Sequence, residues 1–128
     1  MVRTKRDNYL RAVQRLGEAL EEYAANPTDT VRDGVIQRIE FTFDLAWKSL
    51  KAYMQDQGAT TPLQFPKQVL REAYAAELID DERLWLDMLD ARNSTSHIYD
   101  DRQAAAVMSG VQERYYKALR ALASLYGL

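Results

Sequence analysis

A single histidine, His97, sits in the polar stretch Ala91-Arg92-Asn93-Ser94-Thr95-Ser96-His97-Ile98-Tyr99-Asp100, five residues after an arginine and two before a tyrosine. Imidazole titrates near neutral pH and can take or give a proton, and a planar, permanently charged guanidinium suits a phosphate. Cleaving RNA without a metal uses those groups: a base for the 2′-OH proton, positive charge on the phosphorane, and an acid for the leaving oxygen. One histidine per chain falls short of two proton-transfer groups. Two chains meeting across a two-fold axis would supply the second, so this chemistry implies a homodimer with the site at its interface.

Residues five apart on an undistorted helix are separated by about 140°, so Arg92 and His97 would not face each other there. Asn93 to Ser96 has poor helix propensity, because short polar side chains compete for the backbone. A helix end at this point would let His97 fold back toward the Arg92 guanidinium. The spacing alone does not specify a site, since a lone histidine at a helix end is ordinarily a cap or a surface residue.

The elements that must position these residues are helical. From Asn8 to Ala25, Tyr9, Val13, Leu16, Leu20 and Tyr23 recur at three- and four-residue steps, the period of one helical face, and Asn26-Pro27 stops the run. Thr28 or Asp29 can cap a second helix reaching the Gly58 stop signal, with Val35, Ile39, Phe43, Trp47 or Ala46, Leu50 and Met54 as its stripe. Ala59 to Gln64 reads as a connector, and Pro66 at a first helical position starts a shorter helix over Phe65 to Leu78. Asp80 or Asp81 begins a fourth helix with Leu84, Trp85, Met88 and Leu89 inward. The last, from Asp100 or Asp101 to Tyr126, presents Ala104, Val107, Met108, Val111, Tyr115, Leu119, Leu122 and Leu125. No strand pattern or internal repeat is present, and the expectation is an all-α, up-and-down four-helix bundle with an additional short helix.

The 128 residues fit a single domain, 1–128, long enough to bury roughly two-thirds of the surface its unfolded chain exposes. Cysteine is absent, which removes disulfides, thiolate nucleophiles and sulfur-ligated zinc and suits a reducing, cytoplasmic setting. No apolar segment follows the basic N-terminus and no long apolar run occurs, so no membrane partner is expected. A net charge of −2 and a pI near 5.4 argue against binding nucleic acid through a broad basic surface. Arg3, Lys5, Arg6, Arg11 and Arg15 face only Asp7 in this segment, and they read as a solvated helix face and terminus.

In the second helix Glu40, Asp44, Lys48 and Lys51 share one side, where Asp44 and Lys48 read as an ordinary i,i+4 surface pair. Should that stripe face a dimer cleft, Lys48 or Lys51 could contact phosphate and Glu40 or Asp44 could orient His97. Trp47 and Trp85 read as core residues. Asp80-Asp81-Glu82 and Asp100-Asp101 look like helix N-terminal carboxylates, and without a histidine partner they make no transition-metal set. No cofactor is implied. The lack of a glycine-rich phosphate loop means that this chain should not itself be a nucleotidyltransferase.

Several co-linear stretches resemble the HEPN superfamily, in particular its HepT-like, nucleotidyltransferase substrate-binding subunits. They are Arg32-Asp33-Gly34-Val35-Ile36-Gln37-Arg38-Ile39-Glu40-Phe41-Thr42-Phe43-Asp44-Leu45-Ala46-Trp47-Lys48, Val69-Leu70-Arg71-Glu72-Ala73, Trp85 with Met88-Leu89, and Arg92-Asn93 with Ser96-His97-Ile98-Tyr99-Asp100. The similarity runs from about Asn8 to Leu125. It implies a bundle that dimerises around an Arg-x₄-His motif, which in toxin members is a metal-independent endoribonuclease site. It also implies a partner, a small nucleotidyltransferase encoded by an adjacent gene, which acts as antitoxin by transferring AMP to the tyrosine of an extended Arg-x₄-His-x-Tyr motif. Arg92, His97 and Tyr99 occupy those places, and Asn93 fills the polar position after the arginine. A ribonuclease toxin, a non-catalytic binding subunit and a plain helical interaction module are the three function classes; the resemblance disfavours the third, and the intact motif favours the first.

Overall fold

The computed structural model describes residues 4–127; Arg3 of the basic N-terminal group lies outside them. Helix α1 (Lys5–Ala25) starts earlier than the apolar stripe indicates. The reason is a reciprocal cap: the Asp7 N–H donates to Thr4 Oγ1 at 3.1 Å and the Thr4 N–H to Asp7 Oδ2 at 3.3 Å. Helix α2 (Asp29–Asp56) is capped by Thr28, whose Oγ1 accepts from Val31 N–H at 3.2 Å, and gives way to Gly58 at φ +89°.

Helix α3 (Pro66–Ala75) is shorter than its sequence pattern indicates. Glu77 takes a left-handed φ of +61° and the Leu78 N–H turns back to the Ala73 carbonyl at 2.9 Å, closing the helix before Leu78. Helix α4 (Glu82–Ser94) begins after the Asp81 cap and passes into a 3-10 turn, Thr95–His97, at the polar segment where a loosening is expected. Asp100 caps α5 (Asp101–Gly110), which continues through a π-helical segment, Val111–Tyr115, into α6 (Tyr116–Leu125). Counting that rod as one helix, four long helices and the short α3 form an all-α bundle without strands among the described residues.

One hydrophobic cluster joins all the helices, with Tyr9, Leu16, Ile39, Phe43, Leu50, Leu70, Met88 and Leu119 fully buried. Each such side chain contributes about 1.5–3 kcal/mol on removal from water. Ala46 rather than Trp47 completes the α2 stripe; Trp47 is only partly buried, whereas Trp85 is core and packs 6.3 Å from the Phe43 ring. Leu125, expected inward, is 49% exposed. Tyr126 closes that end of the bundle instead, edge-on to Tyr9 at 6.0 Å and with its hydroxyl 2.9 Å from Ser49 Oγ. The Tyr9 hydroxyl donates to the Leu119 carbonyl, tying α1 to α6, and burial, with Tyr126 adding to it, holds its pKa well above the ordinary value. No helix among the described residues is long and apolar enough to cross a membrane.

Candidate functional site

The last turn of α4, the 3-10 turn and the start of α5 lie against the middle of α2. The junction is fixed at α5 by Asp100, whose Oδ1 accepts from Gln103 N–H at 2.8 Å, and by Arg32 of α2, which pairs with Asp101 at 3.2 Å. It is fixed at α4 by Arg92. Nε and one Nη of Arg92 donate to the two oxygens of Asp44, both at 2.9 Å, and the same Nη lies 3.6 Å from Glu40. The hydrogen bond to Asp44 is the main reason that the guanidinium pKa is raised. Thr95 Oγ1 lies 2.8 Å from Glu40 Oε2 and 2.7 Å from the Arg92 carbonyl, with one proton to serve either.

Three sequence expectations are corrected here. Asp44 does not pair with Lys48, because both of its oxygens are engaged by Arg92; Lys48 Nζ lies 5.9 Å from the Trp47 ring centre. Within the protomer Glu40 and Asp44 hold Arg92 and Thr95 and make no contact with their own His97. Nor does His97 fold back onto Arg92: the 3-10 turn carries the imidazole away, and its Nδ1 lies 3.4 Å from the Tyr99 hydroxyl.

Arg92 and His97 therefore line different cavities. One, of about 380 Å³, contains Arg92, Asp44, Trp47, Lys48, Asn93 and Ser96. The other, also about 380 Å³, contains His97, Asp90, Ser94, Gln103 and Tyr115. Lys51 is half-buried and lines neither. Tyr99 is 81% exposed, and its backbone N–H donates to Gln103 Oε1 at 2.7 Å, which fixes the backbone and leaves the phenol in solvent. No cluster of three or more metal-ligating side chains occurs among the described residues.

Thr95, Ser96, Gln103 and Arg32 are site residues that sequence reasoning missed. For Gln103 the Asp100-x-x-Gln103 spacing was a usable signal, since it is a capping pattern. For Arg32, paired to Asp101 across 69 residues, the sequence held none.

Chemically, an exposed imidazole in the 3-10 turn can accept or deliver a proton to a molecule arriving from solvent. Arg92 brings one positive charge but faces two carboxylates, so a phosphate would meet attraction there only with the help of Lys48, which lines the same cavity. The unpaired edge of the guanidinium, Nη1, is the one left for an incoming anion.

Residues 4–125 match the family described as nucleotidyltransferase substrate binding protein like. A protein of Haemophilus influenzae named probable ribonuclease HepT is 36% identical over 88 residues, 66% of this chain and 60% of that protein, so the match spans less than two-thirds of the relative's length. Among solved structures, HI0074 from Haemophilus influenzae, described as the substrate binding domain of a nucleotidyltransferase, superimposes with a TM-score of 0.82 at 27% identity, covering 93% of this chain and 96% of the other. A Thermus thermophilus protein superimposes with a TM-score of 0.81 at 30% identity, covering 94% and 99%.

Proposed function

The chain belongs to the nucleotidyltransferase substrate binding protein-like family, and from that premise we propose that it is the toxin subunit of a two-gene pair, a metal-independent endoribonuclease that works as a homodimer. His97 carries the reading. It is the chain's one imidazole, it is exposed, and it stands in a turn directly after Arg92 and Asn93 in a protein similar to a probable ribonuclease. In the reaction His97 takes the 2′-OH proton and the partner's His97 gives a proton to the leaving oxygen, Arg92 and Lys48 offset the phosphorane charge, and Asn93 donates a hydrogen bond to the phosphate. Because Arg92 and His97 line separate cavities within one protomer, the reacting phosphate is held where two protomers meet and their turns face each other.

The partner is a small nucleotidyltransferase encoded by an adjacent gene, and Tyr99 is its acceptor. The phenolic oxygen, 81% exposed and 3.4 Å from His97 Nδ1, attacks the α-phosphorus of ATP held by the nucleotidyltransferase, so that the bond to the β-phosphate breaks, pyrophosphate leaves and the phenol gives up its proton. The added phosphodiester charge and nucleoside then occupy the approach to His97 and repel RNA. A second reading, a non-catalytic subunit presenting a substrate to the nucleotidyltransferase, is favoured by one observation: the Arg92 charge is already met by Asp44 and Glu40.

The test is RNA cleavage by purified protein with and without EDTA. Wild type should cut in both, His97→Ala should not cut while keeping its far-UV CD spectrum, and light scattering should give twice the 14.8 kDa chain mass. Co-expression with the nucleotidyltransferase should add AMP to Tyr99 by peptide mapping, and Tyr99→Phe should escape neutralisation. Cleavage undiminished in His97→Ala, or stopped by EDTA, refutes the mechanism. A protein that never cuts RNA leaves the binding-subunit reading.

A further inference from the structure

A second site lies on the opposite flank of the exposed ridge of α2, where α1 and α2 pack together. Asn8, Arg11 and Arg15 of α1 and Arg38, Phe41 and Leu45 of α2 line an open groove of about 420 Å³. Arg11 and Arg15 are exposed and one helical turn apart, and Arg38 donates from one Nη to the Arg15 carbonyl at 2.7 Å, which fixes its guanidinium across the two helices. The ion pairs among the described residues engage Arg32, Arg83, Arg92 and Arg114, and none of the three groove arginines. In a chain of net charge −2 this is a local concentration of uncompensated positive charge. Beside it Phe41 is 62% exposed, a large apolar ring outside the hydrophobic cluster of the described residues.

We propose that this groove docks single-stranded RNA, with Arg11, Arg15 and Arg38 on backbone phosphates and Phe41 stacked under a base. The inference rests on the ribonuclease reading and adds to it a substrate-holding surface away from His97. Guanidinium groups that follow a backbone, set beside an aromatic face that accepts any base, are the combination by which single strands are held without sequence preference. A folded duplex would offer Phe41 no base face. A second copy of this chain fits the groove poorly, since a two-fold contact centred there would bring both arginine sets together without a carboxylate. Phe41 and Leu45 of the groove are next in sequence to Glu40 and Asp44, which hold Arg92, so the groove and the Arg92 cavity lie on neighbouring faces of α2.

The experiment uses the full chain carrying His97→Ala, so that RNA stays intact, and follows anisotropy of a labelled single-stranded oligonucleotide over a salt series. Arg11→Gln/Arg15→Gln should weaken binding and flatten the slope of log K against log salt by about 1.4, at about 0.7 for each phosphate no longer neutralised. Phe41→Ala should weaken binding about tenfold. Both changes are on exposed side chains and should leave the melting curve in place. Arg71→Gln/Arg120→Gln, the same charge change on exposed residues elsewhere, should leave the salt slope unaltered. With His97 intact, the groove variants should cleave a dinucleotide at the wild-type rate while showing a reduced kcat/KM on long RNA.

Unchanged affinity in the groove variants, or an equal loss in the Arg71/Arg120 control, overturns the inference while cleavage by wild type keeps the ribonuclease reading. A fall in mass by light scattering in the groove variants shows instead that the face joins two copies. A wild-type protein that neither binds nor cuts RNA overturns both.

Discussion

Asp44→Ala removes both 2.9 Å acceptors from Arg92 and leaves the guanidinium with Glu40 alone at 3.6 Å. A hydrogen bond to a charged group contributes about 1.5–3 kcal/mol when buried, whereas an exposed ion pair contributes about 0–1 kcal/mol. Arg92 and Asp44 side chains are 25% and 33% exposed, between those cases, so the expected loss is about 1.5 kcal/mol. For a domain of this size that lowers Tm by about 5 °C. Arg92→Ala should cost at least as much, because it leaves Asp44 and Glu40 near each other without their shared cation. The double variant retains neither the unpaired arginine nor the unpaired aspartate, so it should lose less than the sum, by about 1 kcal/mol. Urea unfolding of all four proteins at one salt concentration measures that coupling. Additivity within about 0.3–0.5 kcal/mol would refute the pairing as an energetic contact. It follows that Arg92→Ala alone is a poor test of catalysis, and that Arg92→Lys, which keeps the charge and loses the fork, is the informative substitution.

A Cβ on Gly110 would overlap Tyr115 Cε2, so Gly110→Ala should displace that ring and cost about 1–3 kcal/mol in urea unfolding, with part recovered when Tyr115→Ala is added. Tyr9→Phe should cost about 1–2 kcal/mol, since it leaves the Leu119 carbonyl buried without its donor. The same residue gives a pH dependence: its folded pKa is raised above the ordinary 10.0 by burial first and Tyr126 second, so its contribution is complete below about pH 10 and is lost as pH rises through the folded value. Melting curves of wild type and Tyr9→Phe should therefore converge at alkaline pH, and parallel curves would contradict this assignment.

The helices were legible because their signals are local. Thr28, Asp81 and Asp100 each cap a helix through a side chain reaching three residues ahead, and Asn26-Pro27 and Gly58 mark ends by backbone geometry alone. Misjudged ends have equally local causes that the apolar period does not report. Asp7 completes the cap on Thr4, and Glu77, a residue with no obvious claim to left-handed geometry, ends α3. The π-helical segment is different in kind. Tyr115 lies over Gly110 there, and the helical period runs through that stretch without a visible flaw.

The candidate site was legible only as far as it is contiguous. Arg92, Asn93, His97 and Tyr99 lie within eight residues and can be picked out together, but the charge that answers Arg92 comes from α2, 48 residues upstream. Reading Asp44 along its own helix made Lys48 the nearest partner, and the bundle supplied a better one in the planar fork of Arg92. That substitution changes the mechanism more than the fold. With Arg92 committed to Asp44 and Glu40, the charge balance of its cavity is set by Lys48, and the imidazole to which the proposed mechanism gives the proton steps stands in another cavity. Within one protomer the two groups that the proposal makes catalytic are therefore not brought together. On the ribonuclease proposal the second copy, related by a two-fold axis, is what brings another imidazole and another cation to each phosphate, and the light-scattering mass tests that arrangement.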